Sequence, residues 1–141
     1  MIPMGTLIVP DSCAIIQLIR NNDVGQRLEQ QYYLSARRND ILISSVTYAE
    51  VLAFATYQRW SPQKITLLEE FMVQLPLINA GDEWVIKMYV ELYVAARKRG
   101  RMMSQNDLWI AATAKATDAV LLTVDKDFQW IPREFLRVVI A

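Results

Sequence analysis

The sequence contains no histidine. That absence excludes a Ser-His-Asp triad, a Cys-His nucleophile, a histidine acid-base ribonuclease and the usual histidine zinc sites. Any hydrolytic chemistry must come from carboxylates, working through a hard metal ion. Cysteine is nearly absent as well: Cys13 alone cannot form an internal disulfide, which agrees with a reducing, cytoplasmic setting. Net charge is missing, because fifteen basic residues balance fifteen acidic ones. With no global positive field, a nucleic-acid substrate would have to be held locally. Although 53% of the residues are hydrophobic, no uninterrupted apolar run approaches the ~18 residues of a bilayer span, so no membrane association is expected. The opening MIPMGTLIVPDS lacks a basic n-region, and its short apolar stretch runs into a charged turn, so no cleaved signal peptide is expected.

What is present suits one domain over residues 1–141. Thr6 to Val9 reads as a short buried strand ended by Pro10 and Asp11, and Ser12 can start a helix carrying Ile15, Ile16, Leu18 and Ile19. A second helical stretch runs from Asn22 to Arg38, with Val24, Leu28, Tyr32 and Ala36 on one stripe. Ile41 to Ile43 is the next strand candidate. It is followed by a helix with Val46, Ala49, Ala53 and Tyr57 in register and Glu50 expected in its first turn. Ser61-Pro62 starts another helix, Pro76 stops it, Leu77-Ile78 makes a brief strand, and a long helix extends from Asp82 to Gly100. Ser104 caps an alanine-rich helix, Ala119 to Val124 suits a buried strand, and Phe135 to Ile140 closes the chain as a last strand. Strands separated by helices predict a three-layer α/β/α fold around a central, mostly parallel sheet of short strands. In such sheets ligands gather outside the carboxyl ends of the strands.

Asp11, Glu50, Asp107 and Asp125 all fall at that edge. About fourteen helical residues climb ~21 Å and six extended ones descend ~20 Å, which returns Asp125 to the level of Asp107. Each acid has an ordinary explanation alone. Thr47-x-x-Glu50 and Ser104-x-x-Asp107 match the capping box, and Asp11 and Asp125 suit turns. Four together repel, and a cation would justify the arrangement. Asp127 is either a lesser ligand or part of the turn after Asp125, and Thr123 is either a carboxylate-orienting group or an ordinary strand threonine. Asp82 and Glu83 read as helix-dipole acids. The basic run Arg97, Lys98, Arg99 and Arg101 would steer RNA phosphates or complement a helix dipole. Trp109 could stack a base, but an aromatic in a half-buried helix is more often packing.

The motifs PDS at Asp11, TYAEV at Glu50, NDLWIAATA at Asp107 and LLTVDKDF at Asp125 resemble those of the PIN-domain ribonucleases, especially the VapC-type toxins of toxin–antitoxin pairs. The resemblance covers nearly the whole chain, and its specific part is the last two motifs with their spacing of eighteen residues. Proline before Asp11 departs from the family, which usually has an apolar strand residue there. The resemblance implies Mg²⁺- or Mn²⁺-dependent cleavage of single-stranded RNA, a cognate antitoxin partner and a homodimer. It implies Asp11 and Asp107 as main ligands, Asp125 completing the cluster, and Glu50 holding a metal-bound or attacking water. Two other classes compete: a Mg²⁺-dependent phosphotransfer or phosphatase domain, and a non-catalytic RNA-binding module. Acids drawn from four separate elements disfavour the first, which needs one nucleophilic carboxylate with a lysine or arginine on the phosphoryl group.

Overall fold

Short apolar runs with helices between them build the sheet. The computed structural model describes residues 2–141; Met1, which the single-domain expectation and the reading of the opening stretch include, lies outside the described residues. In chain order the elements are β1 (Ile8–Pro10), α1 (Ser12–Arg20), α2 (Asp23–Tyr32), a 3-10 helix (Leu34–Asp40), β2 (Ile43–Ser44) and α3 (Ser45–Tyr57). Then follow α4 (Pro62–Val73), β3 (Leu77–Ile78), α5 (Glu83–Lys98), α6 (Gln105–Ala116), β4 (Val120–Thr123), a 3-10 turn (Lys126–Phe128) and β5 (Val138–Ile140).

Every named strand pair is parallel: β1 with β4, β4 with β5, and β2 with β3. A bridge between Ile8 and Ile41, and the Leu42 N–H donating to the Ile8 carbonyl at 2.8 Å, join the two sheets in the order β3-β2-β1-β4-β5. Alternate strand residues face opposite layers. Ile8, Ile43, Val120 and Leu122 pack with Ile15, Leu28, Val51, Leu68 and Met72 from α1 to α4. Val9, Leu42 and Leu121 pack with Val85 and Leu92 of α5 and Leu108, Ala111 and Ala112 of α6. This is the expected three-layer arrangement. Gly25 allows α2 to lie against α1, since a Cβ there would stand 2.1 Å from the Gln17 carbonyl oxygen.

The departures are local. Pro10 lies inside β1, paired with Leu122, and the Asp11 N–H takes over the ladder by donating to the Leu122 carbonyl at 3.0 Å. The expected helix from Asn22 to Arg38 is two elements. Tyr33 turns left-handed at φ 54°, and the Glu29 carboxylate accepts the Ser35 N–H at 3.0 Å, so Ala36 leaves the α2 stripe for the 3-10 helix. Arg37 is buried and donates to the Ile2 and Pro3 carbonyls. Glu50 is not in a first turn: Ser44 caps α3 by accepting the Val46 N–H at 3.1 Å, which starts the helix earlier and sets Glu50 one turn deeper.

Candidate functional site

The sheet order places a topological switch between β1 and β4, and the acids gather at the carboxyl ends of these strands. Asp11 follows β1 and caps α1, accepting the Ala14 N–H on Oδ1 at 2.9 Å, while its Oδ2 accepts the Thr123 hydroxyl. Thr123 ends β4, and its hydroxyl oxygen also accepts the Asp125 N–H at 2.9 Å. One buried hydroxyl thus ties the two strand ends together. Asp125 in turn accepts the Asp127 N–H on Oδ1 at 2.9 Å. Asp107 stands in the first turn of α6, where the Ser104 hydroxyl accepts its N–H at 3.1 Å. Glu50 reaches over from α3; Ser12 donates to its Oε1, and Asn106 Nδ2 donates to its Oε2 at 2.9 Å.

The four charges act on one another. Asp11 is only 3% exposed, and its carboxyl is raised to about 6, first by burial and then by Asp107 and Asp125, against the opposing hydrogen bonds from Thr123 and Ala14. Asp107 is also raised, by burial and by the charges of Glu50, Asp125 and Asp127. The Cys13 thiol is pushed up to about 11 by desolvation and by Asp11, Asp125, Asp107 and Glu50. A single thiol that feels all four carboxylates marks them as one electrostatic cluster. Among the described residues no lysine or arginine forms an ion pair with any of them.

As the side chains lie, no three acids among the described residues close on a single point to grip an ion by themselves. The donor set nonetheless fits Mg²⁺ or Mn²⁺, because every donor is an oxygen and a small hard cation is commonly held by one or two carboxylates with water filling its remaining positions. Asp127 is exposed and feels Asp107, which places it at the margin.

The basic run divides. Arg99 donates to the Ala95 carbonyl at 3.4 Å, as the dipole alternative expected, and Arg97 lies over the Tyr93 ring at 5.0 Å. Lys98 is exposed on the last turn of α5. Arg101 lines a groove together with Asp107. Trp109 is stacked on Tyr89 with ring centroids 4.0 Å apart, which is packing. Asp82 caps α5, and Glu83 pairs with Lys87 at 3.3 Å. Ser12 and Asn106, the two residues that hold Glu50, were not legible in the sequence as site residues. Each lies beside a motif acid, in PDS and in QND, and that adjacency was the available signal.

Known proteins share this fold. A model of the PIN domain matches residues 8–134. "Ribonuclease VapC1" of Haemophilus influenzae (strain R2866) is 30% identical over 125 residues, covering 86% of this chain and 89% of that protein. A crystal structure of VapBC2 from Rickettsia felis, bound to a DNA fragment from its promoter, superposes with a TM-score of 0.79 at 23% identity, covering 96% of this chain and 98% of that one. VapBC-1 from nontypeable Haemophilus influenzae gives a TM-score of 0.75 at 26% identity, with 95% and 97% covered.

Proposed function

The chain belongs to the PIN-domain family, and from that premise we propose that it is the toxin of a toxin–antitoxin pair: a cytoplasmic endoribonuclease, one domain over 1–141, that hydrolyses RNA with Mg²⁺ or Mn²⁺. The observation that carries the reading is the convergence of Asp11, Glu50, Asp107 and Asp125 at the switch point, where burial and mutual repulsion raise two of them and, among the described residues, no basic side chain forms an ion pair with any.

Asp11, Asp107 and Asp125 would hold the cation, Glu50 through water, with Asp127 at the margin; when bound, such an ion acidifies water and offsets the charge that builds on the phosphate. Thr123 keeps the Asp11 carboxylate in one orientation and fixes the backbone of Asp125. Ser12 and Asn106 hold Glu50 from two sides, so its carboxylate stands as the acceptor for the proton that water loses as it attacks phosphorus. The 3′-oxygen departs with the electron pair of the P–O bond and takes up a proton from solvent water. The products carry 5′-phosphate and 3′-hydroxyl ends, and the 2′-hydroxyl takes no part.

Two partners follow. A basic side chain of the cognate antitoxin reaching the acidic edge would relieve the same repulsion that a metal relieves and would exclude the ion. A second copy of the chain suits the outer face of α5, where Ile86, Val90, Tyr93 and Val94 form an exposed apolar stripe at helical spacing.

The test is incubation of the purified protein with single-stranded RNA in Mg²⁺, in Mn²⁺ and in excess chelator. Cleavage is expected with either ion only. Full activity in chelator would refute the reading.

A further inference from the structure

A groove of about 680 Å³ opens beside the acids, between the segment joining α5 to α6 and the turn that follows β4. Asp107 and Asp127 line it, Arg101 enters it from the first segment, Lys126 from the second, and Trp130 completes it. Its size falls within the ~300–1,000 Å³ of ordinary ligand clefts.

The backbone around both cations is organised. Gly100 adopts φ 65° after α5, the Arg101 N–H returns to the Ala96 carbonyl at 2.8 Å, and the Gly100 N–H returns to the Arg97 carbonyl at 3.1 Å. These two bonds form a Schellman closure that needs the left-handed glycine, and they set where Arg101 leaves the helix. Lys126 opens the 3-10 turn that Asp125 caps through the Asp127 N–H. The Trp130 indole N–H donates to the Met103 sulfur at 2.7 Å, which ties the two segments together and holds the ring. Among the described residues neither Arg101 nor Lys126 has an ion-pair partner, so both keep their donors for a ligand.

Acids alone repel a polyanion, and cations beside them are what admit one. A strand entering here meets two cations and an aromatic ring next to Asp107, the combination that binds single-stranded nucleic acid through its phosphates and base faces. We propose that this groove seats the nucleotides flanking the scissile phosphate of single-stranded RNA, with Arg101 and Lys126 gripping neighbouring phosphates and Trp130 stacking a base. The proposal rests on the ribonuclease reading above and adds to it the track along which the substrate lies. Arg99, turned onto its own helix, is outside that track.

The experiment is fluorescence anisotropy of a labelled single-stranded RNA with the full chain in chelator, across a KCl series, with cleavage of the same RNA in Mg²⁺ followed in parallel. Each phosphate contact to a single strand contributes about 0.7 to the slope of log affinity against log salt, so Arg101→Ala with Lys126→Ala should flatten it by about 1.4. Arg99→Ala should leave the slope at the wild-type value. Trp130→Ala should weaken binding several-fold, and Trp130→Phe should restore most of it. A wild-type slope in the double variant, or no salt-dependent binding by the wild type, overturns the groove. If the wild type cleaves RNA while the double variant keeps its slope, the groove is wrong and the ribonuclease reading stands. If the slope flattens but the wild type never cleaves, the groove binds RNA but flanks no scissile phosphate, and the ribonuclease reading fails.

Discussion

Replacing Asp11 by asparagine should make the metal-free protein more stable, although it removes a residue from the candidate site. Asp11 is 3% exposed and its carboxyl is raised from 3.8 to about 6. A carboxyl raised by folding binds its proton more tightly in the native state than in the unfolded chain. The native state is therefore unpenalised below about pH 4, loses stability as pH rises from about 4 to about 6, and carries the whole penalty above that. At ~1.4 kcal/mol per pH unit, the shift corresponds to about 3 kcal/mol at pH 7 to 8. Asparagine keeps the cap, since its carbonyl oxygen accepts the Ala14 N–H as well as aspartate does. The Thr123 hydroxyl must reorient toward an amide, which reduces the expected gain to ~1–2 kcal/mol, or several degrees in melting temperature. Chemical denaturation of both proteins in chelator from pH 4 to 8 measures the difference, which should be smallest at pH 4 and grow to a plateau above pH 6. Excess Mg²⁺ should reverse its sign at pH 8, because only the wild type gains fully from ligand linkage. A variant less stable than wild type at pH 8 in chelator, or a difference that does not change with pH, would refute the reasoning.

Thr123→Val should cost ~1–3 kcal/mol, since it leaves Asp11 Oδ2 and the Asp125 N–H without their shared partner; it should also move the Asp11 titration upward, as read from the pH dependence of the same denaturation curves. Glu50→Gln should lower RNA cleavage by about 100-fold or more while anisotropy shows RNA binding retained, because the glutamine keeps a hydrogen-bonding group near Ser12 and Asn106 but accepts no proton. Val90→Asp on the exposed stripe of α5 should convert a dimer to a monomer by light scattering with the melting temperature of the monomer fold retained, as a charge in an apolar interface is costly.

The edge of the sheet was legible because its parts are local. The runs around Val9 and Leu121 are short, apolar and followed at once by an acid, and Ser104 announces the start of α6 three residues before Asp107. Of what holds the site together, only Thr123 was legible, as a candidate carboxylate-orienting group; which carboxylate it holds was not. Thr123 and Asp11 are 112 residues apart, and Asn106 and Glu50 are 56 apart, so both hydrogen bonds come from the packing of elements, which no spacing rule reaches. The start of α3 went astray because Ser44, Ser45 and Thr47 all offer a capping hydroxyl; the structure uses Ser44 and buries Thr47 completely. The split after Tyr32 was hidden for a similar reason. Arg37 looks like a surface residue until the carbonyls of Ile2 and Pro3 fold back onto it.

Cleavage of single-stranded RNA in H₂¹⁸O with Mg²⁺, read by mass spectrometry of the fragment ends, tests the carboxylate–metal account at its centre. Water activated at the four acids and attacking phosphorus should place ¹⁸O in the new 5′-phosphate and leave an unlabelled 3′-hydroxyl, with no product formed in chelator. Fragments ending in 2′,3′-cyclic phosphate, with 5′-hydroxyl partners and undiminished yield in chelator, would contradict it.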